Sequence, residues 1–297
     1  MFSFFRALIG GLLGGPLGAI LGGFSGGSRR SGDSHGDADS PGGGGSGTSD
    51  TLGGGSVLTD DQVRALKPSQ IAAMTPQALN LLSSGQFTLL SGTQGAAMTL
   101  VQMAALESDD LRGLGSAALR ALSTSQIGAL GSEQMAQLRD GQVAAMTTAQ
   151  MVSLAADDLR ALNSNQMAAL TTTQVAALGT AQLAGLGTAD LNELGTAQFA
   201  ALTTAQLARL SMDQVSALQT QDLLVLSTAQ LRALGTSGLA ALGTDQLSSL
   251  TTQQVMGLSN AQVASLDSAD LAALTDAQTA ALGTGQVRAL AASRSPA

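Results

Sequence analysis

From Thr59 to Leu290 the chain alternates apolar and polar positions with a period of eight, repeated 29 times over 232 residues without insertion or deletion. With Thr59 as position one, the octad reads [T/G/S]-T-A-[Q/D]-[L/V]-A-A-L. Gly179–Leu186 (GTAQLAGL) is a clean copy. The eighth position is Leu or Met in all 29 octads, and the fifth is aliphatic, Met or Phe in 27, with Gly95 and Thr279 the exceptions. The fourth is Gln in 21 and Asp in five: Asp110, Asp158, Asp190, Asp222 and Asp270.

A continuous helix does not fit this pattern. Eight residues at 100° each carry the apolar pair about 80° round the axis per repeat. A strand does not fit either, because positions five and eight would face opposite ways. A short helix followed by a turn fits every position. Position one is mostly Gly, Thr or Ser, with Asn163 and Asp267 as variants, all of them N-cap residues. Position two accepts proline, at Pro68 and Pro76, as the first helical residue does. Position four then falls at N3. Thr171-Thr172-Thr173-Gln174 reads as a capping box, with Leu170 and Val175 as its hydrophobic staple.

Helices this short do not persist alone in water. One octad buries about two large side chains, worth about 1.5–3 kcal/mol each, against about 1–2 kcal/mol of backbone entropy per ordered residue. Stability therefore has to come from stacking neighbours into a continuous apolar spine. The predicted fold is all-α: an α-solenoid, or superhelix, of very short helices, one per octad. Leu178, Leu183, Leu186, Leu202, Leu207 and Leu210 are expected anchors of the spine. Small residues at positions six and seven, such as Ala176 and Ala177, would let helices approach closely. The octad Ser91–Met98, with Gly95 at the anchor position, predicts either a local kink or a degenerate but normally packed repeat. Met98, Met103, Met135, Met146, Met151 and Met167 stand at anchor positions and read as flexible core filler, with an adaptable binding face as the alternative.

The flanks differ in composition. Residues 1–24 are apolar and glycine-rich, residues 25–57 form a Gly/Ser/Asp linker expected to be disordered, residues 58–290 carry the octads, and residues 291–297 read as a disordered tail. In the first segment, expected to be helical, Gly10, Gly14, Gly18 and Gly22 are four apart, a spacing that lets helices pack closely in lipid. Pro16 interrupts the run, and Arg29-Arg30 would sit at an interface. A membrane anchor, an export signal and an apolar cap on the solenoid all remain open for it.

Composition removes several function classes. The chain has 297 residues, a formal net charge of −8, no Cys, no Trp, no Tyr and one His. Disulfides, thiolate metal sites and thiol nucleophiles are excluded. The acidic balance and six Phe argue against nucleic-acid binding. His35 lies among Asp33, Asp37 and Asp39 in the polar linker and reads as solvated. The pairs Asp60-Asp61, Asp109-Asp110 and Asp157-Asp158 fall in first helical turns, where carboxylates cap helices and meet the helix dipole favourably. Gly42–Gly45 lacks the strand, helix and Lys of a phosphate loop. Arg64, Arg112, Arg120, Arg160, Arg232 and Arg288 all stand at position six, which should face solvent. No catalytic, cofactor or metal residue is expected.

The octad T-x-x-[Q/D]-[L/V]-x-x-L, as in LTTAQVAALGTAQL (Leu170–Leu183), resembles long repeat tracts of bacterial surface and secreted proteins. The acidic, glycine-rich, cysteine-free composition is also similar to harpin-type proteins of plant-associated bacteria. These resemblances imply a non-enzymatic structural or interaction protein of the cell envelope or the exterior, with a protein partner or self-association. No small-molecule substrate is expected. The alternative is a secreted effector or translocon-like protein whose residues 1–24 insert into a target membrane; a cytoplasmic, membrane-associated location is also open.

Overall fold

The computed structural model describes residues 58–294. The assigned segments 1–24 and 25–57, with Gly10, Gly14, Gly18, Gly22, His35 and Gly42–Gly45, lie outside the described residues, as do residues 295–297. Among the described residues there are 29 short α-helices, α1 (Asp60–Ala65) to α29 (Thr284–Arg294), and no strand. Every helix but one begins at position two of its octad. The fold is the all-α solenoid of one short helix per octad.

The local chemistry explains the spacing. At Thr171 the hydroxyl accepts from the Gln174 N–H at 3.2 Å, and the Thr171 N–H donates to Gln174 Oε1 at 2.7 Å. Where glycine holds position one, as at Gly179, only the second bond forms, at 2.8 Å. Except at Leu234, which stays in the helical region (φ −61°, ψ −19°), extended backbone then separates each helix from the next. Leu170 (φ −56°, ψ 134°) and Thr171 (φ −73°, ψ 154°) are two consecutive non-helical residues that turn the chain toward the next start signal.

Helices pack chiefly on the helix three octads further along; among chain neighbours, Thr228–Ala233 packs on Gly235–Ala240. Polar bonds between turns join residues 25, 28 and 31 apart. One superhelical turn therefore takes between three and four octads. Side chains at positions five and eight fill one continuous core from Leu58 to Leu266. Of the expected anchors, Leu178, Leu183, Leu186, Leu202 and Leu207 are buried. Leu210 is only partly buried, a departure explained by a gap described below. The six methionines named above and Met74, also at position eight, are in the core, while Met212 and Met256 are exposed. The six position-six arginines are exposed.

Three details depart from the regular scheme. First, the octad with Gly95 contains no break: its helix, α5 (Gly92–Ala96), begins in register. Gly95 is buried, and a Cβ built there would lie 3.0 Å from the Ala118 carbonyl oxygen. Ala118 stands where most octads have Gln, so two missing side chains meet and the backbones close the space. Second, position seven is where turns approach most closely. A Cβ on Gly113 would lie 2.4 Å from the Ser84 carbonyl oxygen, and one on Gly257 would lie 2.3 Å from Thr228 Cγ2. Most position-six residues, expected to share this role, face outward, with Asn80 and Asn192 among the half-buried exceptions. Third, α29 runs on to Arg294, past the expected start of the tail at Ala291. Its Arg294 Nη2 donates to the Leu266 carbonyl at 2.9 Å, which ties the last turn of helix to the body.

Candidate functional site

Position four is the chemically busiest place in the molecule. The capping box uses only the Oε1 atom of its glutamine. The Nε2 group of the same side chain points across to the preceding turn. Gln174 Nε2 donates to the carbonyls of Val143 and Met146, both at 2.8 Å. Gln150 repeats this with Leu119 and Leu122, and Gln206 with Val175 and Leu178. The acceptors are positions five and eight of the octad four earlier, at the C-terminal end of its helix. In a regular octad the position-eight carbonyl has no backbone donor, whereas the position-five carbonyl already accepts from the position-eight N–H, as Val143 does from Met146 at 3.2 Å. One buried amide thus caps the start of its own helix and the end of another, one turn below.

The bridge recurs from Gln86, which donates to Leu58 at 2.7 Å, to Gln286, which donates to Leu258 at 2.9 Å. Most of these glutamines are buried, Gln166 fully. A buried amide is tolerated because its atoms find partners. Arg294 extends the series: it stands at position four of the next octad frame and bonds 28 residues back, as the glutamines do.

The bridge has gaps where position four is not Gln. At Gly238 nothing reaches back to Leu207 or Leu210. There α23 (Gly235–Ala240) starts one residue early, Gly235 adopts φ +72°, and a cleft of about 460 Å³ opens beside Leu210, Met212 and Leu234. This accounts for the partial exposure of Leu210. The five aspartates behave in three ways. Asp190 and Asp270 cap their own helices, accepting from the N–H groups of Gly187 and Asp267 at 3.3 and 3.0 Å. Asp158 accepts from the Ser132 hydroxyl at 2.9 Å. The side chains of Asp110 and Asp222 are buried and make no hydrogen bond or ion pair among the described residues, so the capping role expected for Asp110 is not observed. Aspartate is one methylene shorter than glutamine, and its carboxylate offers acceptors only.

Burial pushes the Asp222 carboxyl up to about 6. Burial, and then the charges of Glu107 and Asp109, push Asp110 up to about 6. Of the remaining paired acids, Asp61 and Asp157 make ion pairs with Arg64 and Arg160 one turn on, all at exposed sites. Among the described residues, no group of three His, Cys, Asp or Glu is placed to hold a metal ion, and no helix is long and apolar enough to cross a membrane.

The chain is thus a helical repeat protein whose polar interior is organised around one glutamine per octad. The family model described as the ALTTAQ repeat matches residues 103–140, 154–188, 183–220 and 215–252. Ala201–Gln206 spells that hexapeptide. Each matched stretch covers between four and five octads, enough to hold one glutamine bridge of 28 and 31 residues. No curated protein matches the chain.

Sequence reasoning placed the glutamine at N3 but missed its second bond. The signal lay in the residue type. Glutamate makes an equally good capping box, yet it occurs at position four in none of the 29 octads. Glutamate lacks the amide hydrogens that the bridge requires.

Proposed function

We propose that this protein is a non-enzymatic scaffold, surface-associated or secreted, that works through protein contacts, including contacts with its own copies. The observation that carries the reading is the glutamine bridge: the interior polar groups of each octad are spent on holding turn to turn. Diversity is left to the outward positions two, three and six. Several of these outward residues are large and apolar: Leu100, Val101, Val152, Met212, Leu224 and Met256 are all at least about half exposed. Exposed apolar side chains on a superhelical surface suit protein contacts.

The test has two arms. Sedimentation velocity of the full chain should show concentration-dependent association that weakens in a Leu224→Glu/Met256→Glu variant. A monomer at all concentrations refutes self-association. Fractionation of producing cells, with and without residues 1–24, should place the native chain in the envelope or the medium. Retention in the soluble cell interior refutes the location.

A further inference from the structure

The two buried, unpartnered aspartates share a second feature. Asparagine occurs at position six in only two octads, at Asn80 and Asn192. Each lies 30 residues before one of these aspartates: Asn80 before Asp110, Asn192 before Asp222. In both, the amide nitrogen donates to a backbone carbonyl 25 residues on, Asn80 to Ala105 at 2.9 Å and Asn192 to Ala217 at 2.8 Å. That bond fixes the amide orientation and leaves Oδ1 as an acceptor. Four buried side-chain atoms lack a hydrogen-bond partner among the described residues: Asn80 Oδ1, Asn192 Oδ1, and both carboxylate oxygens of Asp222. All four belong to these two places.

The register supplies the rest of each site. Position four stands against the carbonyls of positions five and eight, four octads earlier. For Asp222 these are Leu191 and Leu194; for Asp110 they are Leu79 and Leu82. In regular octads a glutamine nitrogen sits about 2.8 Å from both such carbonyls, as Gln174 does. Here that nitrogen is absent. The Asn192 backbone carbonyl, which accepts from Gln219 Nε2 at 3.3 Å, holds this octad against that of Asp222. By register each place sets a carboxylate and an amide oxygen toward the position-eight carbonyl of Leu82 or Leu194, while the Leu79 and Leu191 carbonyls accept from the Leu82 and Leu194 N–H groups at 3.0 and 3.2 Å.

Nor does the protein supply a counter-charge. The helix of Asp222, α21 (Thr220–Leu224), packs on α18 (Thr196–Ala201) and α24 (Thr244–Ser249), whose only charged residue is the exposed Asp245. The helix of Asp110, α7 (Ser108–Gly113), packs on α4 (Ser84–Phe87) and α10 (Ser132–Gln137), which carry only Glu133. Its own Arg112 is exposed. Oxygen-only surroundings select a hard cation, and a single carboxylate buried in each pair is neutralised by one positive charge.

We propose that Asn80–Asp110 and Asn192–Asp222 are twin binding sites for an alkali-metal cation, which takes the place of the glutamine nitrogen and ties adjacent turns together. The test compares thermal melts of the full chain, followed by circular dichroism, in sodium, potassium and choline chloride at equal ionic strength. Sodium or potassium should raise the melting temperature above that in choline, and sodium NMR lines should broaden in the presence of the protein. An Asp110→Asn/Asp222→Asn variant should stay folded and lose both effects, whereas Asp190→Asn should keep them. Equal melting in all three salts, the result if water or a proton fills the place, overturns the proposal. So does a cation effect that survives in the double variant.

Discussion

Replacing Gln174 by glutamate isolates the inter-turn bridge from the helix cap. The new side chain has the same length and still offers an oxygen to the Thr171 N–H, so the cap persists. It loses the donor that serves Val143 and Met146. The Val143 carbonyl keeps the Met146 N–H at 3.2 Å, so one buried carbonyl, that of Met146, is left without a donor, and about 1–3 kcal/mol is expected at neutral pH. A carboxylate facing carbonyl oxygens adds to this. Burial also raises the glutamate's folded pKa above its unfolded value. Stability is then greatest below the ordinary carboxylate range and is lost as pH rises through the folded pKa. A protonated glutamate restores one donor, so the deficit should shrink at pH 4. Urea unfolding followed by circular dichroism at pH 7 and pH 4 reads both effects. A variant within about 0.5 kcal/mol of the native chain at pH 7, the ordinary spread of surface substitutions, would refute the role given to the amide. An equal deficit at both pH values would refute the electrostatic part.

Other outcomes follow from the same geometry. Gly113→Ala, which sets a methyl against the Ser84 carbonyl, should destabilise by about 1–3 kcal/mol as overpacking does; Gly131→Ala, with open space around it, should change little in the same urea titration. Leu202→Ala should cost about 2–5 kcal/mol as a buried leucine does, while Arg120→Ala on the exposed face should be nearly neutral; equal effects would contradict the assigned faces. In choline chloride, Asp110 and Asp222, both pushed up to about 6, make the native chain most stable below the ordinary carboxylate range, with stability falling as pH rises through 6; the Asp110→Asn/Asp222→Asn variant should flatten that slope in urea midpoints. Deleting Gly235–Leu242, an octad without a bridging glutamine, should leave a cooperative melt, whereas deleting four residues from it should not.

The short helices, their caps and the core positions were legible because each depends on residues within one octad. Thr171, Gln174 and Leu178 announce a start, a cap and an anchor from spacing alone. The number of octads per turn was not legible, because it depends on backbone angles at joints such as Leu170–Thr171, which many residue pairs can adopt. The second bond of Gln174 was hidden for the same reason: its acceptors lie 28 and 31 residues away. The kink entertained at Gly95 failed to form because its compensating residue, Ala118, belongs to another turn. The tail boundary was missed because Arg294 stands in for glutamine, a substitution that leaves the written pattern but keeps the donor.

The glutamine bridges run along the superhelix axis, while the covalent chain runs around it. Tension applied at the two ends would therefore load the amides as rows of parallel clasps, three or four to a turn. Each row that gives way frees about one winding of chain and shields the next from the full load. Such a strand lengthens in steps and dissipates work at each one, the behaviour of a tether that absorbs a pull without parting.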